Sequence, residues 1–134
     1  MIPLLRPAGA GGRPQGFTLV ELLVVLAIVA LLLTIAAPRY FASLEAAKDA
    51  ALVQTLRNTR SAIDHFYGDK GRYPESLDEL VEKRYLQALP LDPILESAQS
   101  WLLLAPDDDS KGRVRDLKST APGVNQDGRL FSEL

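Results

Sequence analysis

The sequence predicts an α+β fold in which one long N-terminal helix packs its second half on a small antiparallel sheet of about three strands. Three observations predict it. The 21 residues from Phe17 to Ala37 are apolar except for Thr18, Glu21 and Thr34, and as a helix such a run spans about 32 Å, one bilayer crossing. Apolar residues then recur at steps of three and four as far as Phe66, the stripe of an amphipathic helix. Beyond residue 94, short apolar runs alternate with turns rich in Pro, Gly, Asn and Asp, the pattern of strands.

The chain begins with a polar leader, Met1 to Gly16, that carries Arg6 and Arg13 and no acidic residue. That bias favours keeping the leader in the cytoplasm, so the chain enters a membrane N-in, with its N-terminus on the cytoplasmic side. Glu21 lies one turn inside the apolar run, where an ionisable side chain costs roughly 2.5–3.5 kcal/mol. It needs a partner or a purpose.

The stripe of the second half comprises Phe41, Leu44, Ala47, Ala51 or Leu52, Leu56, Thr59, Ile63 and Phe66, with Glu45, Lys48, Asp49, Arg57, Arg60 and Asp64 on other faces. One helix from about Phe17 to Tyr67 is expected, apolar all round in its first half and along one side in its second. Pro38 marks a kink. Gly68-Asp69-Lys70-Gly71 is the stop. Ser76 and Glu79 have capping-box spacing, which predicts a second helix of about ten residues packing through Leu77, Leu80, Val81 and Tyr85. Leu89-Pro90-Leu91-Asp92-Pro93 closes it. Trp101 to Leu104 reads as a buried strand, Asp107 to Gly112 as a turn, and Arg113 to Ser119 as a strand with a bulge or early end. Thr120 to Gly128 is a loop, and Arg129 to Ser132 a short last strand.

Composition narrows the function. Of 134 residues, 15 are basic and 17 acidic; without Arg6 and Arg13 the balance is 13 to 17, a net charge of −4. Nucleic acid is not an expected partner of such a chain. There is no cysteine, and His65 is the only histidine, so nucleophilic catalysis lacks its usual pairing. No phosphate-cradling glycine loop, paired-histidine metal motif or nucleotide fingerprint occurs. An enzyme is not expected.

The string Gly16-Phe17-Thr18-Leu19-Val20-Glu21-Leu22-Leu23, followed by a bilayer-length apolar helix and Pro38, resembles the class III signal of type IV pilins and type II secretion pseudopilins. The resemblance implies a pilin fold, cleavage between Gly16 and Phe17 by a prepilin peptidase, and N-methylation of Phe17. It implies that Glu21 pairs with the α-ammonium of a neighbouring subunit's Phe17 during assembly, and that Pro38 kinks or locally melts the helix as subunits pack. The segment RYPESLDELVEKRYLQALPLDP resembles the region after the long helix in G-type major pseudopilins. Three regions follow: 1–16 a cleaved leader, 17–37 a transmembrane and assembly helix, and 38–134 a periplasmic head that includes the second half of the long helix. The implied partners are identical subunits in a homopolymer, minor pseudopilins, the peptidase, an inner-membrane assembly platform and the membrane itself. The implied role is a structural subunit of a type II secretion pseudopilus.

Calcium is the one ligand to weigh. Asp107, Asp108, Asp109, Asp116, Ser119, Asn125 and Asp127 concentrate oxygen donors in the last third. An EF-hand is excluded, because Lys111 and Lys118 occupy ligand positions. Asp116-Leu117-Lys118-Ser119 resembles the D-x-x-S element before the calcium loop of G-type pseudopilins, which implies the Leu117 carbonyl, Ser119 and Asp127 as ligands. The following loop departs from the family, offering one aspartate where a pair is common. The favoured reading is that Asn125 to Gly128 is simply a turn.

Other readings of the apolar run are an ordinary secretory signal, with a loose cleavage site at Thr34-Ile35-Ala36, and a plain membrane anchor. The first conflicts with the length of the run and with Glu21 inside it. A mature N-terminus at Phe17, at Ala37 or left uncut separates the three. A type IV pilus pilin serving adhesion, motility or DNA uptake, and a membrane-anchored periplasmic binding module, are the alternative functions.

Overall fold

The computed structural model describes residues 3, 4, 9 and 16–134. Arg6 and Arg13, which carry the charge bias of the leader, lie outside the described residues. Contacts divide the chain into two units, one ending at Arg39 and the other running Tyr40–Leu134.

Helix α1 runs Leu19–Lys70 and contains Pro38 without interruption. A proline nitrogen cannot donate, so the helix loses one backbone bond there and continues. Its end is set by Gly71, whose φ of +70° is the left-handed conformation that closes a helix, and whose N–H reaches the Tyr67 carbonyl at 2.8 Å. Gly68 is passed over. The predicted stripe is buried only in part: Leu52, Leu56, Thr59, Ile63 and Phe66 are enclosed, joined by Ala62 from outside it, whereas Phe41 and Leu44 remain 60% and 39% exposed.

Helix α2 spans Leu77–Glu82, shorter than the ten residues expected. Ser76 caps it by accepting from the Glu79 N–H, and the Glu79 carboxylate reaches back to the Glu75 N–H at 3.1 Å. The early stop has a local cause. Arg84 adopts φ +64°, and the Arg84 and Tyr85 N–H groups bond to the carbonyls of Val81 and Leu80, the crossed pair of a Schellman motif with arginine where glycine is usual.

The sheet has two strands among the described residues, not three. β1, Leu102–Leu104, pairs antiparallel with β2, Asp116–Lys118, with Leu103 opposite Leu117. Leu102 and Leu103 remain 50% and 42% exposed, and of the predicted buried run only Trp101 is enclosed. The expected last strand is reduced to one bridge, Val124 with Leu130, after which Phe131–Glu133 turns as a 3-10 helix. That turn drives the Phe131 ring into the core.

The core joins Leu52, Leu56, Ile63 and Phe66 of α1 to Leu77 and Leu80 of α2, Val114, Leu117 of β2, Trp101 and Phe131. Each such side chain contributes about 1.5–3 kcal/mol on burial. Tyr85 meets the Phe66 ring edge-on at 5.3 Å between centroids, and the Arg72 guanidinium lies over the same ring. The half of α1 beyond Leu52 is thus a wall of the head.

Candidate functional site

The start of α1 is built by Thr18, Glu21 and Leu22. Thr18 precedes the first helical residue, and its carbonyl accepts the first helical bond from the Leu22 N–H at 3.1 Å. The Glu21 N–H donates to Thr18 Oγ1 at 3.2 Å, and the Thr18 N–H donates to Glu21 Oε2 at 3.3 Å. This is a reciprocal capping box. The T-x-x-E spacing of Thr18 and Glu21 is the sequence signal for this box, a role of Glu21 beyond the one in assembly that the resemblance implies. The box holds the carboxylate toward the N-terminal end of its own helix, where the partial positive charge of the helix favours it. Phe17, Val20, Val24 and Val25 line a shallow groove around Glu21, and Phe17 is 90% exposed.

From Leu22 to Ile35 every large apolar side chain is between 44% and 64% exposed. No face of this stretch is covered. α1 is long and apolar enough to cross a membrane once, and none of its most apolar window is buried. Thr34 spends its hydroxyl on the Ala30 carbonyl at 2.8 Å, so it presents no free donor to lipid. Pro38 lies just beyond this stretch, within α1. The structure thus brings Phe17 and Glu21 together at one helix end and leaves Pro38 separate.

These features carry the comparison with known proteins. A family model described as the prokaryotic N-terminal methylation motif matches residues 12–37. The type II secretion system core protein G of Aeromonas hydrophila is 31% identical over 97 residues, covering 60% of this chain and 68% of that protein. The chain belongs to the type IV pilin-like family, as a G-type pseudopilin-like member. The core protein G of Pectobacterium carotovorum subsp. carotovorum is 33% identical over 84 residues, covering 60% of this chain and 54% of that protein. Competence protein ComGC of Halalkalibacterium halodurans is 33% identical over 72 residues, covering 54% and 71%. The pseudopilin-like chain therefore spans between about half and about seven-tenths of the length of these relatives. No solved structure matches.

In the head of this pseudopilin-like chain, the residues proposed for calcium are placed as follows. The Leu117 carbonyl accepts from Arg60 Nη2 at 3.1 Å. Ser119 is buried; its hydroxyl donates to Asp92 Oδ2 at 2.5 Å and accepts from the Ala121 N–H. Asp127 is exposed in the loop, its N–H bonded to Asn125 Oδ1. Calcium needs six to eight converging oxygens, and two of these three are committed to other protein groups. Among the described residues no group of three or more His, Asp or Glu side chains is placed to hold a metal ion. As arranged, the set does not form the oxygen cage that calcium needs.

Sequence reading missed two polar features of the head. Asp92 is fully buried and accepts from the Ile94 and Leu95 N–H groups as well as from Ser119; the Asp-Pro pair was the available signal for such an Asx turn. Arg60 reaches three acceptors on residues far along the chain, and nothing in its own neighbourhood of sequence announces that. His65 is exposed on α1.

Proposed function

We propose that this chain is a structural subunit of a type II secretion pseudopilus, with no catalytic role, that polymerises through its N-terminal helix to drive protein secretion. The observation that carries the reading is the uncovered apolar surface of α1 with one carboxylate at its start. Stored in the inner membrane, that surface is solvated by lipid; in a filament it is covered by the same helix of other subunits. The membrane spans once, with the N-terminus cytoplasmic and the head in the periplasm. The prepilin peptidase cuts between Gly16 and Phe17, and Phe17 is N-methylated. Glu21 then leaves its own capping box to pair with the Phe17 ammonium of a neighbouring subunit, an exchange that offsets the cost of a carboxylate in an apolar core. Pro38 is where the helix yields as subunits pack. Identical subunits, minor pseudopilins and an inner-membrane assembly platform are the partners.

The test substitutes Glu21→Ala in the full chain. Membrane insertion and cleavage at Phe17 are expected to persist while filaments, sheared from cells and imaged, are lost. Filaments from E21A in normal number would remove the reading, as would a mature N-terminus other than Phe17. A second reading, a subunit of a competence-type or surface pilus, is favoured by the relative from Halalkalibacterium. Deleting the gene distinguishes the two: secretion of exoproteins fails under the first, DNA uptake or surface attachment under the second.

A further inference from the structure

Two of the three oxygen ligands that the resemblance assigned to calcium, the Leu117 carbonyl and the Ser119 hydroxyl, are held by the protein's own groups, Arg60 and Asp92. Arg60, on the head half of α1, donates from Nε to Asp116 Oδ1 at 2.7 Å. Its Nη2 donates to the main-chain oxygens of Leu117 at 3.1 Å and Leu134 at 2.8 Å. Asp116 and Leu117 open the D-x-x-S element; Ser119, which closes it, is bonded to Asp92. We propose that the Arg60 guanidinium is the structural cation of this head, fixing β2 and the 131–134 turn to α1 so that the head folds without a bound divalent ion.

The chemistry of the two cations explains the substitution. A guanidinium is a planar fork of donors that can satisfy a carboxylate and two main-chain oxygens from one side. A calcium ion instead asks six to eight oxygens to converge from all sides. At Leu117 the two exclude one another, because an ion on that carbonyl would lie within a few ångströms of a like charge. Asp127, the remaining acid of the loop, is exposed and offers a single carboxylate. The arginine pair is itself about one-third exposed on each side, so salt weakens it without removing the two bonds to main-chain oxygens. The inference concerns the head alone and stands whether or not the chain assembles as proposed.

The experiment follows the buried Trp101 fluorescence of the full chain in detergent micelles through thermal unfolding, in millimolar calcium chloride and in excess EGTA. The wild-type midpoint is expected to be the same in both. Arg60→Gln should lower it by about 5–10 °C in both, and Arg60→Lys by less, since an ammonium is a point donor. A wild-type midpoint that rises with calcium, or an R60Q midpoint equal to wild type, overturns the proposal. If R60Q does not fold, amide exchange of the wild-type chain decides. Equal protection of residues 116–119 and 131–134 in calcium and in EGTA supports the arginine; slower exchange in calcium overturns it.

Discussion

Asp92 and Ser119, 27 positions apart, meet at 2.5 Å inside the head. They join the Leu-Pro-x-Asp-Pro segment to the D-x-x-S element, two of the stretches that carried the family resemblance. The Asp92 carboxyl is fully enclosed, and its other oxygen takes the Ile94 and Leu95 N–H groups at 2.8 and 3.2 Å. A buried carboxyl is tolerable only with its hydrogen bonds complete. Trp101 reinforces the same segment by donating from Nε1 to the Pro90 carbonyl at 2.8 Å.

Asp92→Ala strands three donors at once and is expected to destabilise the head by about 3 kcal/mol or more, whereas Ser119→Ala, which leaves the Ala121 N–H and one carboxyl oxygen short, costs about 1–3 kcal/mol. Urea unfolding of the two variants measures the difference. A larger loss from S119A than from D92A would show that Asp92 is not the centre of the network.

Glycines 112 and 71 make a second, paired prediction. Gly112 has φ +101°, and a Cβ there would lie 2.1 Å from the Tyr73 carbonyl oxygen. The close approach is fixed by the Tyr73 N–H, which reaches the Lys111 carbonyl at 2.6 Å. Gly71 has φ +70° with nothing within 4 Å of the added carbon. Gly71→Ala should therefore cost only the left-handed strain, about 1–2 kcal/mol, while Gly112→Ala must separate two backbone segments and should abolish the protected Trp101 environment. Comparable midpoints for the two variants in thermal unfolding would contradict this.

The Arg72–Glu79 pair sets an acid limit on the head. Arg72 Nη2 lies 2.6 Å from Glu79 Oε1, and that bond holds the Glu79 carboxyl below its ordinary value while raising Arg72. A carboxyl lowered by folding stabilises above its unfolded pKa and ceases to do so as pH falls through the folded one. The head should accordingly weaken as pH drops through and below the ordinary carboxylate range, and Glu79→Gln should flatten that slope. Asp108, lowered by its bonds to Ser110, contributes in the same direction, so part of the slope persists in E79Q. A full wild-type slope in E79Q would show that the pair does not couple to folding.

What was legible in the sequence was what repeats or what has a local mechanism. The apolar run, the stripe from Leu52 to Phe66, the Ser76 cap and the positions of β1 and β2 all follow from spacing. The rest depended on residues distant in sequence or on backbone choices that side chains do not announce. Arg84 enters the left-handed region although glycine is the usual occupant, which shortened α2. Phe131 is drawn into the core, which replaced the third strand by a 3-10 turn. Leu102 and Leu103 are apolar yet 50% and 42% exposed; as neighbours on β1 they point to opposite faces, so this two-stranded sheet leaves apolar surface open on both. At the N-terminal end of α1, Gly16, Phe17 and Glu21 follow from the motif, and the Thr18–Glu21 spacing is the local signal for the capping box that the structure shows.

Gln126 hydrogen-bonds from its side chain to the Ala42 carbonyl and from its backbone N–H to Asp49, and Arg60 binds residues 116, 117 and 134. Apart from the Tyr85–Asp69 bond, the side-chain hydrogen bonds between α1 and the rest of the head, among the described residues, thus wait for chain beyond residue 115. Contacts of such long sequence separation form late, after the loop-closure entropy has been met. During synthesis the first half of α1 is complete well before these hydrogen bonds can form, when its lower half meets only the apolar and ring contacts of the 72–85 segment. The head is closed from its far end back, and a chain arrested before residue 116 would be inserted but unfinished.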